Sequence, residues 1–179
     1  MNKNRIKLTR EKETLLVLLY SKAVESRRSH PVIYDPKALE ILASIDYDFR
    51  ELRIPEQTLT TLAMRAKKLD SIAKAYIETN QNPLILHLGC GLDSRILRVG
   101  DETVKWYDLD YPDVIRLRKA FYEETPRYRM IPSSVTDFSW FFTDSQDIPS
   151  LGLWSRFMFA VAGRFKTARK AHRVLHFQL

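Results

Sequence analysis

The chain has 179 residues, 45% of them hydrophobic and 28% charged, with only five glycines and eight prolines and no repeat or low-complexity tract; this excludes a disordered or fibrous chain and suffices to bury one real core. The single cysteine, Cys90, excludes an intramolecular disulfide, and the opening apolar run of Leu15 to Tyr20 is too short for a membrane span and lacks a small-residue cleavage pattern behind it, so a cytoplasmic setting without a membrane partner is expected. The net charge of +7 is uneven, because Leu151 to Leu179 holds six cations and no acid and leaves the rest nearly neutral; a nucleic-acid surface is therefore disfavoured against a solvated helix face.

Arg10 to Ser26 predicts a helix, with Leu15, Leu18, Leu19 and Lys22 to Ala23 on one face. Asp35-Pro36 opens a second, an aspartate cap followed by a proline in the first turn, whose stripe of Leu39, Leu42 and Ala43 runs to about Ile45. A longer helix is expected from about Pro55 to Thr79 on the three-and-four rhythm of Leu59, Leu62, Ala63, Ala66, Leu69, Ile72, Ala73 and Tyr76. Leu84 to Leu88, bounded by Pro83 and Gly89, suits a parallel strand buried on both faces. After Gly89 to Asp93 come a short helical stretch, a second strand over Val104 to Leu109, a helix from Pro112 to Thr125 ended by Pro126, and a third strand over Tyr128 to Ile131. Asp137 to Phe142 reads as a helical turn, 144–152 as a loop, and the close as a basic helix, with Phe157 to Ala162 a strand in the alternative. Strands alternating with helices give an α/β fold.

The informative segment is His87-Leu-Gly-Cys-Gly-Leu-Asp-Ser-Arg95, a strand running through Gly-x-Gly into a helix start. Glycines let such a turn be tight and let a ligand approach its amides at the carboxyl end of the strand. Asp110 follows Gly89 by 21 residues at the end of the second strand, the spacing at which a carboxylate accepts from both hydroxyls of a ribose. No third glycine occupies Leu92 to Arg95, which disfavours a pyrophosphate and favours a nucleoside without phosphates, of which S-adenosyl-L-methionine is the commonest on this architecture. Asp93 and Asp108 read equally as caps or strand-end turns, Cys90 as a small buried residue and His87 as a strand residue. The histidines at 30, 87, 172 and 176 have no ligand spacing with cysteine or carboxylates, and no metal is expected.

Several stretches together resemble the leucine carboxyl methyltransferase family, most closely its bacterial polyketide O-methyltransferase branch. They are Tyr20 to Arg28, Asp35-Pro-Lys-Ala38, Met64 to Asp70, Leu88-Gly-Cys-Gly-Leu-Asp-Ser-Arg95 and Trp106 to Val114. The resemblance implies an incomplete Rossmann-like class I methyltransferase sheet of about three parallel strands, with an N-terminal helical extension over 1–82, a cofactor-binding half over 83–143, and a linker with the basic helix over 144–179. It also implies S-adenosyl-L-methionine as cofactor, with Lys22 and Arg65 on its carboxylate, Gly89 and Gly91 along its methionine portion, Asp110 on the ribose, and Thr136 and Asp137 beside the adenine. Two cations facing a carboxylate, and an acid accepting from an exocyclic amine, are sensible chemistry for those positions. Lys22 and Arg65, taken alone, read as solvated helix charges, the usual fate of such residues.

The closing segment from Leu153 resembles the family's own C-terminus, while the strand, the remaining sheet and the acceptor pocket that should precede it are missing, so an internal deletion is expected. The first strand would then lack a partner on one side and be covered by another subunit or by Phe157 to Ala162. The expected activity is O-methylation of a carboxylate or hydroxyl on a small-molecule acceptor, with no catalytic residue nameable. The alternative is a non-catalytic remnant that binds cofactor or a protein partner.

Overall fold

The computed structural model describes residues 13–137, so the expected turn past Asp137, the loop at 144–152 and the basic C-terminal helix lie outside the described residues. α1 spans Glu13–Glu25 and buries Leu16, Leu19 and Ala23, a stripe one residue out of step with the expected Leu15 and Leu18, which are only half-buried. In so uniformly apolar a run, periodicity does not decide which leucines face inward. α2, Pro36–Ser44, is capped by Asp35, whose Oδ1 accepts from the Ala38 N–H at 2.9 Å, with Pro36 in the first turn. A single 3₁₀ turn follows at Phe49–Leu52; Phe49 stacks on Tyr20 of α1 with ring centroids 5.4 Å apart. α3, Glu56–Thr79, is the longest helix and buries Leu59, Ala63, Asp70, Ala73 and Ile77 along one face.

β1 is Leu84–Leu88, β2 Lys105–Asp110 and β3 Tyr128–Pro132, all parallel in the order β1-β2-β3. α4, Arg95–Val99, lies between β1 and β2 in the chain, and α5, Pro112–Arg118, joins β2 to β3. The helix expected to reach Thr125 stops at Arg118. Lys119 still closes a helical bond to the Ile115 carbonyl, but the chain then passes through tighter turns to Tyr122, and Thr125 and Tyr128 exchange main-chain bonds around Pro126-Arg127. The proline closes a tight loop into β3 rather than ending a helix.

The chain divides into two compact units. The residues up to Thr79 group with Leu92–Asp101, so α4 belongs with α1, α2 and α3; Asn80–Gly91 and the residues from Glu102 hold the sheet and α5.

Within the sheet unit, the parallel register aligns Leu84 with Lys105, His87 with Asp108 and Asp108 with Met130. Side chains alternate between faces, so Leu84, Leu86, Leu88, Tyr107, Leu109 and Ile131 share one face, while Ile85, His87, Trp106, Asp108, Tyr128 and Met130 share the other. The first face is an apolar cluster completed by Val135. The second carries a buried polar cluster. β1, expected to be buried on both faces, alternates between half-buried and buried residues, and among the described strands it pairs with β2 alone.

Candidate cofactor-binding site

Three parallel strands bring their carboxyl ends to one edge, where this architecture binds ligands. Gly89 and Gly91 follow β1 there with φ of 64° and 52°, the left-handed region that glycine enters without strain. The Gly89 and Cys90 amides both donate to the Leu109 carbonyl, at 2.8 and 3.3 Å, so the turn is stitched to β2. The Gly91 N–H then donates to Asp110 Oδ2 at 2.8 Å, and the Tyr111 N–H to Asp110 Oδ1 at 2.8 Å. Asp110 is nearly buried, and its own carbonyl accepts from Ser133 at 2.9 Å, tying the strand end to the segment after β3. Gly91 and Asp110 are thus brought into direct contact. A carboxylate offers about four acceptor directions, and the two main-chain amides take one on each oxygen.

Thr136 and Asp137 lie exposed on the turn that follows β3. The Ser134 hydroxyl sits 2.9 Å from that of Thr136, and the Asp137 N–H donates to the Ser134 carbonyl at 3.0 Å. Lys22 and Arg65 both stand in the helical unit. Arg65 is exposed on α3, whereas Lys22 is buried and its Nζ is 3.1 Å from Asp93 Oδ1. Burial pushes the Lys22 ammonium below its ordinary value, against the pull of Asp93.

Asp93, read in the sequence as a cap or turn residue, is a hub of ion pairs. Besides Lys22 it meets Arg95 and Arg98, each at 3.1 Å. Arg95 and Arg98 also clasp Asp70 at 2.8 and 2.6 Å, and Arg98 reaches Asp35 at 2.7 Å. Burial works against the Arg98 guanidinium, but Asp93, Asp70 and Asp35 outweigh it and raise it above its ordinary value. Three cations and three carboxylates therefore balance inside the helical unit.

Asp108 is the second acid that sequence reasoning left as a turn residue. It is fully buried, and His87 Nδ1, Trp106 Nε1 and the Tyr128 hydroxyl meet it at 2.9, 2.9 and 2.6 Å, with Arg118 as its ion-pair partner. Burial alone would raise the Asp108 carboxyl, but Arg118, His87 and Tyr128 outweigh it and hold it at about 2. The ionised acid only accepts, which puts the His87 proton on Nδ1. Tyr128 is in turn raised, by burial and by the Asp108 charge. The register pairing of His87 with Asp108 was visible in principle once the strands were aligned; Arg118 had no sequence signal, since arginines near helix ends are usually solvated.

A parallel α/β sheet with a left-handed Gly-x-Gly turn bonded to the acid that ends the neighbouring strand is of the Rossmann-like methyltransferase class, here with three of its strands. The chain belongs to the leucine carboxyl methyltransferase family, which matches residues 16–136. It is 42% identical over 147 residues to the tetracenomycin polyketide synthesis O-methyltransferase TcmP of Streptomyces glaucescens, a match covering 82% of this chain and 54% of that protein. It is 32% identical over 154 residues to the S-adenosyl-L-methionine-dependent methyltransferase dpfgK of Gibberella zeae, covering 78% of this chain and 52% of that one. The chain spans about half the length of these curated relatives. Among the described residues, no helix is long and apolar enough to cross a membrane.

Proposed function

We propose that this chain binds S-adenosyl-L-methionine at the carboxyl edge of its sheet and methylates a carboxylate or hydroxyl oxygen of a small, polyketide-like acceptor. The observation that carries the reading is the 2.8 Å hydrogen bond from the Gly91 amide to Asp110, which sets the acid proposed for the ribose against a turn built on two left-handed glycines. The acceptor directions left on Asp110 match the two ribose hydroxyls, and no phosphate-binding third glycine follows the turn. Gly89 and Gly91 would line the methionine portion, and Asp137, with Thr136 beside it, would accept from the adenine amine. Family likeness alone assigns Lys22 and Arg65 to the amino-acid carboxylate. When bound, the cofactor supplies an electrophilic sulfonium methyl, and the protein's contribution is chiefly to position donor and acceptor in line. A hydroxyl acceptor requires a base and a carboxylate does not. The acceptor class follows the printed activity of the tetracenomycin relative.

Calorimetric titration with S-adenosyl-L-methionine, followed by transfer of a labelled methyl group to a panel of aromatic acids and phenols, tests the reading. Saturable binding with transfer to one of those classes is expected. Binding without transfer would make the chain a cofactor-binding protein and remove the enzymatic half of the proposal; absence of binding would remove both halves.

A further inference from the structure

A guanidinium is sealed inside the sheet unit, where it has no part in the adenosine site. Arg118 is the last residue of α5 and has no solvent exposure. An arginine is expensive to bury unless its charge is paired and its nitrogens meet polar partners. Here Nη1 donates to the Gly91 carbonyl at 3.0 Å, Nε to the Tyr128 hydroxyl at 3.1 Å, and Nη2 is paired with Asp108. The guanidinium carbon lies 4.0 Å above the Tyr122 ring centroid, so one face of the group is also covered.

The consequence falls on Gly91. Its N–H is held by Asp110 and its C=O by Arg118, so the peptide groups on both sides of a residue at φ 52° are fixed by charged side chains. Both acids stand on β2 two residues apart, on one face of the sheet. Arg118 touches Asp108 directly and Asp110 only through Gly91.

We propose that Arg118, held by Asp108, is a positioning residue that locks the Gly89 to Gly91 turn in its ligand-ready conformation, and thereby sets the affinity for S-adenosyl-L-methionine without touching it. The inference rests on the adenosine-site reading for its ligand, but the locking of the turn is separable from it. Two charge-assisted hydrogen bonds hold the glycine peptides in advance, and an unlocked turn must be ordered at the expense of binding.

Arg118→Lys separates the roles. A lysine retains the cation for Asp108 but lacks the planar fork that reaches the Gly91 carbonyl and Tyr128 together. Tyr128→Phe serves as a control, since it removes an Asp108 and Arg118 partner while leaving the Gly91 bond in place. In the 179-residue chain, Arg118→Lys is expected to speed amide hydrogen exchange at Gly89, Cys90 and Gly91 at least tenfold relative to the core of β2. It should also weaken S-adenosyl-L-methionine binding by about tenfold. Tyr128→Phe should lower the melting temperature by a comparable amount yet leave turn exchange and affinity within about twofold of the parent. If both variants affect the turn and the affinity in proportion to their loss of stability, Arg118 is a structural residue and the proposal is wrong. If the parent binds no S-adenosyl-L-methionine, the cofactor reading is what has failed, and the exchange rates decide by themselves whether Arg118 locks the turn.

Discussion

Gly91 and Asp110 are where local backbone chemistry and ligand chemistry meet. A Cβ at position 91 must occupy the left-handed region at φ 52°, so Gly91→Ala is expected to cost about 1 kcal/mol in denaturant unfolding, and to weaken cofactor binding by more than the fold's loss explains. Asp110→Asn presents an NH₂ to one of the two amides that the carboxylate now accepts, at a cost of about 1–3 kcal/mol. Lys22 allows a sharper separation. Its ammonium is disfavoured by burial, so its folded value lies below the ordinary 10.5; the charge costs stability at neutral pH, and the cost shrinks as pH rises toward the ordinary value. Lys22→Met, which leaves Asp93 paired with Arg95 and Arg98, should therefore unfold no more easily than the parent. A drop of tenfold or more in S-adenosyl-L-methionine affinity in that variant, measured by calorimetry, would support the family-derived assignment of Lys22 to the cofactor carboxylate; unchanged affinity would remove it.

At the scale of elements, the strands and most helices were legible because their apolar periods and their punctuation agree. Asp35-Pro36 caps α2 as its chemistry dictates, and Pro83 and Gly89 bracket β1. The end of α5 was not legible, because an apolar rhythm can continue past the point where the backbone tightens, and Pro126 looked like a helix stop when it marks a turn. The buried charges were not legible either: Asp70, Arg95, Arg98 and Arg118 carry the residue types of a solvated surface, and only the arrangement of several elements turns them inward. Their energetics yield two expectations. Arg98→Ala takes the cation from buried Asp35 and leaves Asp70 with Arg95 alone, and it should destabilise the chain by about 3 kcal/mol in chemical denaturation. Asp108 is depressed to about 2 from an ordinary 3.8, so its stabilisation is fully present above about pH 4 and is lost as pH falls through 2. That contribution is worth about 2 kcal/mol, and Asp108→Asn should flatten the acid limb of the stability profile between pH 4 and pH 2.

Across the molecule, the internally neutralised charge cluster of the helical unit and the glycine turn of the sheet unit both fall within the family match at 16–136. Family membership was legible because the matching residues are dense in that span, whereas the acceptor was not, since the chain spans only about half of each curated relative. The claim on which the functional account depends is that Asp110 grips a ribose. A double-mutant cycle measures it directly: S-adenosyl-L-homocysteine and its 2′-deoxy analogue are titrated against the parent chain and Asp110→Ala. The parent is expected to bind the deoxy ligand at least tenfold more weakly, and Asp110→Ala to bind the two ligands equally. Equal binding of both ligands by the parent chain, or a ribose preference that survives in Asp110→Ala, would contradict the claim.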